Sequence, residues 1–95
     1  MSLKRIDVFT NEYNIVNILL KDFIINKIFT QNKSLYKIIK RSKIDISLVD
    51  NCVDILKIQT ASCDLGISYG FGIIFKKKII KKYKDGIWNI HSGDL

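Results

Sequence analysis

Two residues near the carboxyl end of the chain, Asn89 and His91, have side chains suited to acyl-transfer chemistry. Side chains alternate between the faces of a β-strand, so Asn89 and His91 would point one way and Trp88 and Ile90 the other. The amide can donate a hydrogen bond to a developing oxyanion, and an imidazole, with an unperturbed pKa of about 6.5, can move a proton. The spacing predicts a strand that presents an acyl-transfer centre, although a structural histidine bonded to backbone is an open alternative.

The segment before this pair is a short apolar strand that runs into a glycine-containing turn. Residues 63–75 read Cys-Asp-Leu-Gly-Ile-Ser-Tyr-Gly-Phe-Gly-Ile-Ile-Phe, and a lysine-rich amphipathic segment and Gly86 follow. Gly70 and Gly72 either permit a tight strand-to-helix turn or take part in ligand binding. No Gly-x-Gly-x-x-Gly follows the first predicted strand and no Gly-Lys-[Ser/Thr] occurs, so nucleotide phosphate binding has little support.

Residues 63–95, about a third of the chain, resemble the folate-dependent formyltransferases. This family moves a formyl group from 10-formyltetrahydrofolate to an amine. The resemblance lies in the order and spacing of Asp64-Leu65, the apolar strand, the Tyr69-Gly70 turn, the helical segment and the run Gly86-Ile-Trp-Asn-Ile-His. It implies that the chain carries the N-terminal half of a formyltransferase catalytic domain.

The same resemblance implies a role for each segment. Asn89 and His91 would be catalytic and would meet the tetrahedral oxyanion. The turn would hold the pterin ring of 10-formyltetrahydrofolate through backbone groups and apolar side chains, which makes the cofactor-binding residues Tyr69, Gly70, Phe71, Gly72, Ile73 and Ile74. The family's triad also contains a buried aspartate, expected beyond Leu95, so we expect this chain alone to be inactive.

The acceptor and other partners follow less directly from the sequence. The resemblance implies a small-molecule amine or sugar-nucleotide acceptor, or methionyl-tRNA. The basic run from Lys76 to Lys84 could steer such anionic ligands, but a solvated helix face in a lysine-rich chain of net charge +7 explains it as well. Tyr83 is the only aromatic residue within the run, so a dedicated nucleic-acid module is not indicated.

Composition predicts one domain, or a piece of one, over residues 1–95, and the resemblance implies a partial domain. There is no proline, and the five glycines all lie between Gly66 and Gly93, so no linker divides the chain. Cys52 and Cys63 have no metal-site spacing and are expected to be reduced thiols, with no metal bound. The longest uncharged stretch is too short to span a membrane and no signal peptide is recognisable, so we expect a cytoplasmic protein.

Switches in hydrophobic period predict an α/β, Rossmann-like fold, with a mainly parallel sheet and helices on both faces. The resemblance implies that this is a truncated formyltransferase-type domain. Strands are expected near residues 6–9, 24–30, 46–49, 65–68 and 87–90, although residues 24–28 also fit a helix. Helices are expected after Thr10-Asn11, after a Ser34 cap, from Asp50-Asn51 through Gln59, and over 74–84.

The last two strands are predicted to be parallel neighbours. The turn after residue 68 and the Asn89/His91 pair would then share one crevice, and the exposed sheet edge could support self-association. The alternative to an enzyme fragment is an inactive or truncated Rossmann-like binding or interaction module. A small-molecule-binding α/β protein of unrelated ancestry is also open.

Overall fold

A computed structural model describes residues 3–58 and 62–90, and within them strands alternate with helices. The strands are β1 (Lys4–Thr10), β2 (Phe23–Thr30), β3 (Ile46–Leu48), β4 (Leu65–Tyr69) and β5 (Ile87–Ile90). The helices are α1 (Tyr13–Leu19), α2 (Lys33–Lys40), α3 (Cys52–Lys57) and α4 (Lys77–Ile80). None of these described helices has the length and apolar character needed to cross a bilayer. Residues 24–30 form a strand, which settles the ambiguity between strand and helix.

The strands form one parallel sheet in the order β3-β2-β1-β4-β5. The chain moves outward from β1 to β3, crosses back, and places β4 on the other side of β1. This reversal defines a topological switch point between β1 and β4, and the predicted Rossmann-like architecture is confirmed. The predicted parallel pairing of β4 with β5 is also confirmed.

Alternating side chains on β1 divide the interior into two apolar cores. Ile6 and Val8 pack with residues of α1 and α2 on one face, whereas Phe9 packs with residues of α3 and α4 on the other. Burying one such side chain contributes roughly 1.5–3 kcal/mol relative to leaving it exposed. The predicted placement of helices on both faces of the sheet therefore follows from the alternation within its central strand.

Three helix boundaries differ from those expected. Ser34 is not the cap of α2, because the Asn32 side chain accepts hydrogen bonds from the backbone N–H groups of Ser34 (2.8 Å) and Leu35 (3.2 Å). At α1 the N-cap position is Glu12, and the expected cap Thr10 instead accepts a bond from the Glu12 N–H at 3.1 Å. Helix α3 ends at Lys57, and Gln59 lies outside the described residues.

The helix expected over 74–84 is confined to Lys77–Ile80. Residues before it are extended because Phe75 reaches into the second core, with its ring centroid 4.8 Å from that of Phe9. Lysines four apart, such as Lys77 and Lys81, also repel each other along a longer helix. As expected, Ile79 and Tyr83 are buried, but Ile80 is 41% exposed.

Gly86 lies just before β5 and has the expected left-handed backbone, with φ of +80°. It ends a turn rather than a helix, since α4 has already ended. Its carbonyl accepts a hydrogen bond from the Gly66 N–H at 3.0 Å, which begins the pairing of β5 with β4.

A buried carboxylate joins the sheet to the turn after α4. Asp7, 1% exposed, accepts hydrogen bonds from the Tyr83 hydroxyl (2.6 Å) and from the Asn26 amide (2.8 Å). The β1–β2 register shifts at Asp7, where Asn26 is an extra residue in β2. Burial, followed by the negative charge of Asp7, raises the pKa of the Cys63 thiol to about 12. Burial and the bond to Asp7 likewise raise the pKa of Tyr83 above its usual range.

These two raised pKa values predict that the protein loses stability in alkaline solution. An unfolded Cys63 ionises near pH 9.0, whereas the folded thiol keeps its proton to about pH 12, so the unfolded chain releases a proton first. The free energy of unfolding should therefore fall as the pH rises through this window, by at most about 1.4 kcal/mol per pH unit for one group. Denaturant titrations across the window measure the slope. Cys63→Ala should flatten it, and identical slopes in variant and wild type would contradict the assignment.

Candidate functional site

The predicted catalytic pair begins at Asn89, near the carboxyl end of β5. Asn89 is exposed and is the register partner of Ser68 in β4. It shares a face with Ile87, which packs on the second core, and the exposed Trp88 and Ile90 point to the opposite face. His91 lies outside the described residues. The Asn89 amide thus lies on the strand next to β4, near the segment that follows β4 in the chain.

That segment, residues 70–76, is named here the β4–α4 loop. It begins at Gly70, whose φ of +58° lies in the left-handed region that favours glycine. The Glu12 carboxylate lies against Gly70 so closely that an added Cβ would overlap it. The carboxyl ends of β1 and β4, neighbours in the sheet, therefore meet at this contact.

The side chains of the predicted cofactor-binding residues differ in their surroundings. Tyr69 packs against the first core, while Phe71 and Ile73 are half-buried against the second. Phe71 stacks on Phe75, with ring centroids 5.8 Å apart. Ile74 is 87% exposed, although its carbonyl accepts a hydrogen bond from the Cys52 thiol at 3.1 Å. Among the large apolar side chains of the loop, only that of Ile74 is thus largely exposed to solvent.

The amide side chains of Gln31 and Asn11 connect the β4–α4 loop to the neighbouring strands. Gln31 follows β2, and its carbonyl oxygen Oε1 accepts hydrogen bonds from the Gly72 N–H (2.8 Å) and from the Asn11 amide (3.2 Å). Asn11 follows β1, and its own carbonyl oxygen Oδ1 accepts bonds from the Gln31 N–H (2.7 Å) and the Thr30 hydroxyl (3.1 Å). The carboxyl ends of β1 and β2 are thereby connected to the loop that leaves β4.

The sequence reasoning missed these amides, although a signal for them exists. Both inner strands end with Phe-Thr followed by an amide residue, Phe9-Thr10-Asn11 in β1 and Phe29-Thr30-Gln31 in β2. Each threonine is fully buried and accepts a hydrogen bond from the backbone N–H two residues later, at 3.1 Å in both cases. This repeated strand ending places an amide side chain above the sheet at each position.

The arrangement offers hydrogen-bond donors and an apolar contact but, among the described residues, no cluster of three His, Cys, Asp or Glu side chains that could hold a metal ion. Asn89 provides an exposed amide at one side of the edge, and Ile74 provides exposed apolar surface on the loop. Glu12 adds a carboxylate near the switch point, and exposed lysines start at Lys76. Polar, charged and apolar groups are thus all exposed at this edge of the sheet.

Comparison of the chain with protein-family models and with curated proteins gives no match.

Gly70→Ala and Gly86→Ala form a matched pair that tests the contact with Glu12. Both glycines have positive φ, where a residue with a Cβ costs roughly 1–2 kcal/mol. An added Cβ meets no atom within 4 Å at Gly86 but overlaps Glu12 at Gly70. We expect Gly70→Ala to lower the free energy of unfolding more than Gly86→Ala does, as measured by denaturant titration. Glu12→Ala should remove the excess, and equal losses in the two glycine variants would contradict the contact.

Proposed function

We propose that the chain is part of a folate-dependent formyltransferase, to whose active site it contributes Asn89, His91 and the β4–α4 loop. The formyl donor would be 10-formyltetrahydrofolate, and the acceptor a small-molecule amine or sugar-nucleotide amine, with methionyl-tRNA a further candidate. We propose a cytoplasmic location, as for other one-carbon metabolism. The outer edge of β5 could support self-association.

One observation carries the proposal. Strands β4 and β5 are adjacent and parallel, so the β4–α4 loop and Asn89 lie at the same edge of the sheet, as the resemblance requires. Ligands of open α/β sheets gather beyond the carboxyl ends of the strands. A donor-binding loop and an oxyanion donor on neighbouring strands are therefore suitably placed for one shared ligand.

A folate bound at this edge would take its main apolar contact from Ile74 rather than from Phe71. Phe71 is committed to the second core through its stacking on Phe75, whereas 87% of Ile74 is accessible to a ligand. Backbone groups of the glycine-containing loop could read the polar edge of the pterin. The lysines that begin at Lys76 are suitably placed for the anionic glutamate tail.

In the proposed reaction the acceptor nitrogen attacks the formyl carbon and the carbonyl oxygen becomes an oxyanion. The Asn89 amide donates a hydrogen bond to that oxyanion. His91 accepts a proton from the attacking nitrogen and delivers it to N10 of the folate as the bond between N10 and the formyl carbon breaks. The products are the formylated amine and tetrahydrofolate.

A Rossmann-like binding module without turnover is the second candidate, and the closed switch point favours it. The β4–α4 loop contacts Glu12 at Gly70 and Gln31 at Gly72, so it is joined to the ends of β1 and β2. An edge of this kind could bind a partner or a small ligand with no chemistry at Asn89. The two candidates differ in whether a formylated folate binds and whether the loss of the Asn89 amide affects turnover.

Ile74→Ala tests the folate site, with Ile18→Ala as its matched control. Both isoleucines are exposed, at 87% and 53%, and Ile18 lies on α1 away from the loop. We expect Ile74→Ala to weaken binding of 5-formyltetrahydrofolate by about 5- to 30-fold through lost apolar contact, measured by calorimetric titration. Both variants should unfold within roughly 0.5 kcal/mol of wild type. No binding to wild type, or equal affinity in all three proteins, would contradict the proposal.

Asn89→Ala tests the catalytic assignment in the complete formyltransferase of which this chain is proposed to be a part. The oxyanion exists only in the transition state and intermediate, so kcat should fall by roughly 10² to 10³ with little change in folate affinity. Asn17→Ala, at an exposed position on α1, should leave both parameters unchanged. An unaltered kcat in the Asn89 variant would remove the reason for placing the active site at β5.

A further inference from the structure

The β4–α4 loop is held by a residue that lies far from it in sequence. Gln31 is 41 residues from Gly72, and the hydrogen bond from the Gly72 N–H to Gln31 Oε1 is 2.8 Å long. The loop therefore depends on a side chain that follows β2, two strands away from β4 in the sheet. Gln31 is only half-buried, so packing alone does not explain its orientation.

The orientation of Gln31 is fixed by Asn11, which follows the adjacent strand β1. The Asn11 amide donates to Gln31 Oε1 at 3.2 Å, and Asn11 Oδ1 accepts from the Gln31 backbone N–H at 2.7 Å. These two bonds place the Gln31 oxygen, rather than its NH₂ group, opposite Gly72. An acceptor is what a backbone N–H requires.

The fit at Gly72 is close enough to set the path of the loop. A Cβ added at Gly72 would lie 2.8 Å from Gln31 Oε1, so a larger residue at this position would displace the Gln31 oxygen from its present place. Two residues farther on, the Cys52 thiol donates to the Ile74 carbonyl at 3.1 Å. Together these contacts leave the exposed Ile74 side chain pointing away from the core.

We infer that Gln31 is a positioning residue, which sets the conformation of the β4–α4 loop by accepting the Gly72 N–H and so orients Ile74 toward the ligand. The effect of Gln31 on the loop conformation is inferred from the hydrogen bonds alone. Its effect on ligand binding rests on the proposed function. Gln31 itself need not touch the folate. Its role differs from those of Asn89 and His91, which would meet the reacting atoms.

Gln31→Leu removes the acceptor oxygen at similar size, and Gln31→Glu keeps an oxygen that can accept from both Gly72 and Asn11. Amide hydrogen exchange at Gly72, followed by NMR on the full 95-residue chain, reads the loop directly. We expect exchange to be about 5- to 30-fold faster in Gln31→Leu and close to wild type in Gln31→Glu. Exchange at Ile67, in the middle of β4, should be equal in all three proteins. Unchanged Gly72 exchange in Gln31→Leu would overturn the inference.

Affinity for 5-formyltetrahydrofolate, measured on the same three proteins, tests the ligand part. We expect Gln31→Leu to weaken binding by a factor comparable to the change in Gly72 exchange, and Gln31→Glu to restore it. Wild-type affinity in Gln31→Leu, together with faster exchange, would overturn the positioning of the ligand contact. If wild type binds no folate, the proposed function fails, and Gly72 exchange alone then decides whether Gln31 sets the loop.

Discussion

Strand β1 pairs on both sides and is covered on both faces, and the rest of the structure depends on this constraint. It is hydrogen-bonded to β2 and β4, so neither edge is free, and its residues from Ile6 to Thr10 are all nearly inaccessible. A polar side chain in such a strand must find partners inside the protein. Asp7 finds them in Tyr83 and Asn26, and Thr10 finds one in the backbone that begins α1.

The partners of β1 organise distant parts of the chain. The bond from Tyr83 to Asp7 spans 76 residues and fixes the turn that leads into β5. The bulge at Asn26 lets β2 supply a donor to Asp7 while the strand continues to Thr30. The central strand thus determines where β5 begins and where β2 ends. Those two positions in turn place Asn89 and Gln31 at the same edge of the sheet.

The sequence predicted the parts of the fold that have local signals. The apolar run of β4 predicts a strand, that of β2 fits a strand or a helix, and the left-handed backbone of Gly86 follows from its place after the lysine-rich segment. Local signals failed at helix boundaries, for a local reason in α2 and a long-range one in α4. Ser34 is as good a cap residue as Asn32 by type, but the backbone bends so that the Asn32 oxygen meets two N–H groups. Helix α4 is short because the Phe75 ring packs against the ring of Phe9, which lies 66 positions earlier in the chain.

The candidate site shows the same division. Asn89 and the loop glycines could be selected from the sequence. The Asn-x-His spacing and the glycines of a tight turn are both patterns that extend over only a few residues. Gln31 could not be selected in this way, because its partner Gly72 becomes a neighbour only after the chain has crossed from β3 to β4. The repeated Phe-Thr-amide strand ending is visible in the sequence, but the partners of its amide side chains depend on which strands become adjacent.

The position of the candidate site within the sheet has an electrostatic reason. In many doubly wound proteins a ligand's phosphates lie at the switch point, against the helix that follows the first strand. Here the Glu12 carboxylate occupies the start of that helix and lies against Gly70. A negative group at this position repels phosphate, and Gly72 of the β4–α4 loop is bonded to Gln31. The proposed ligand would therefore lie nearer to β4 and β5, where Asn89 and Ile74 are exposed.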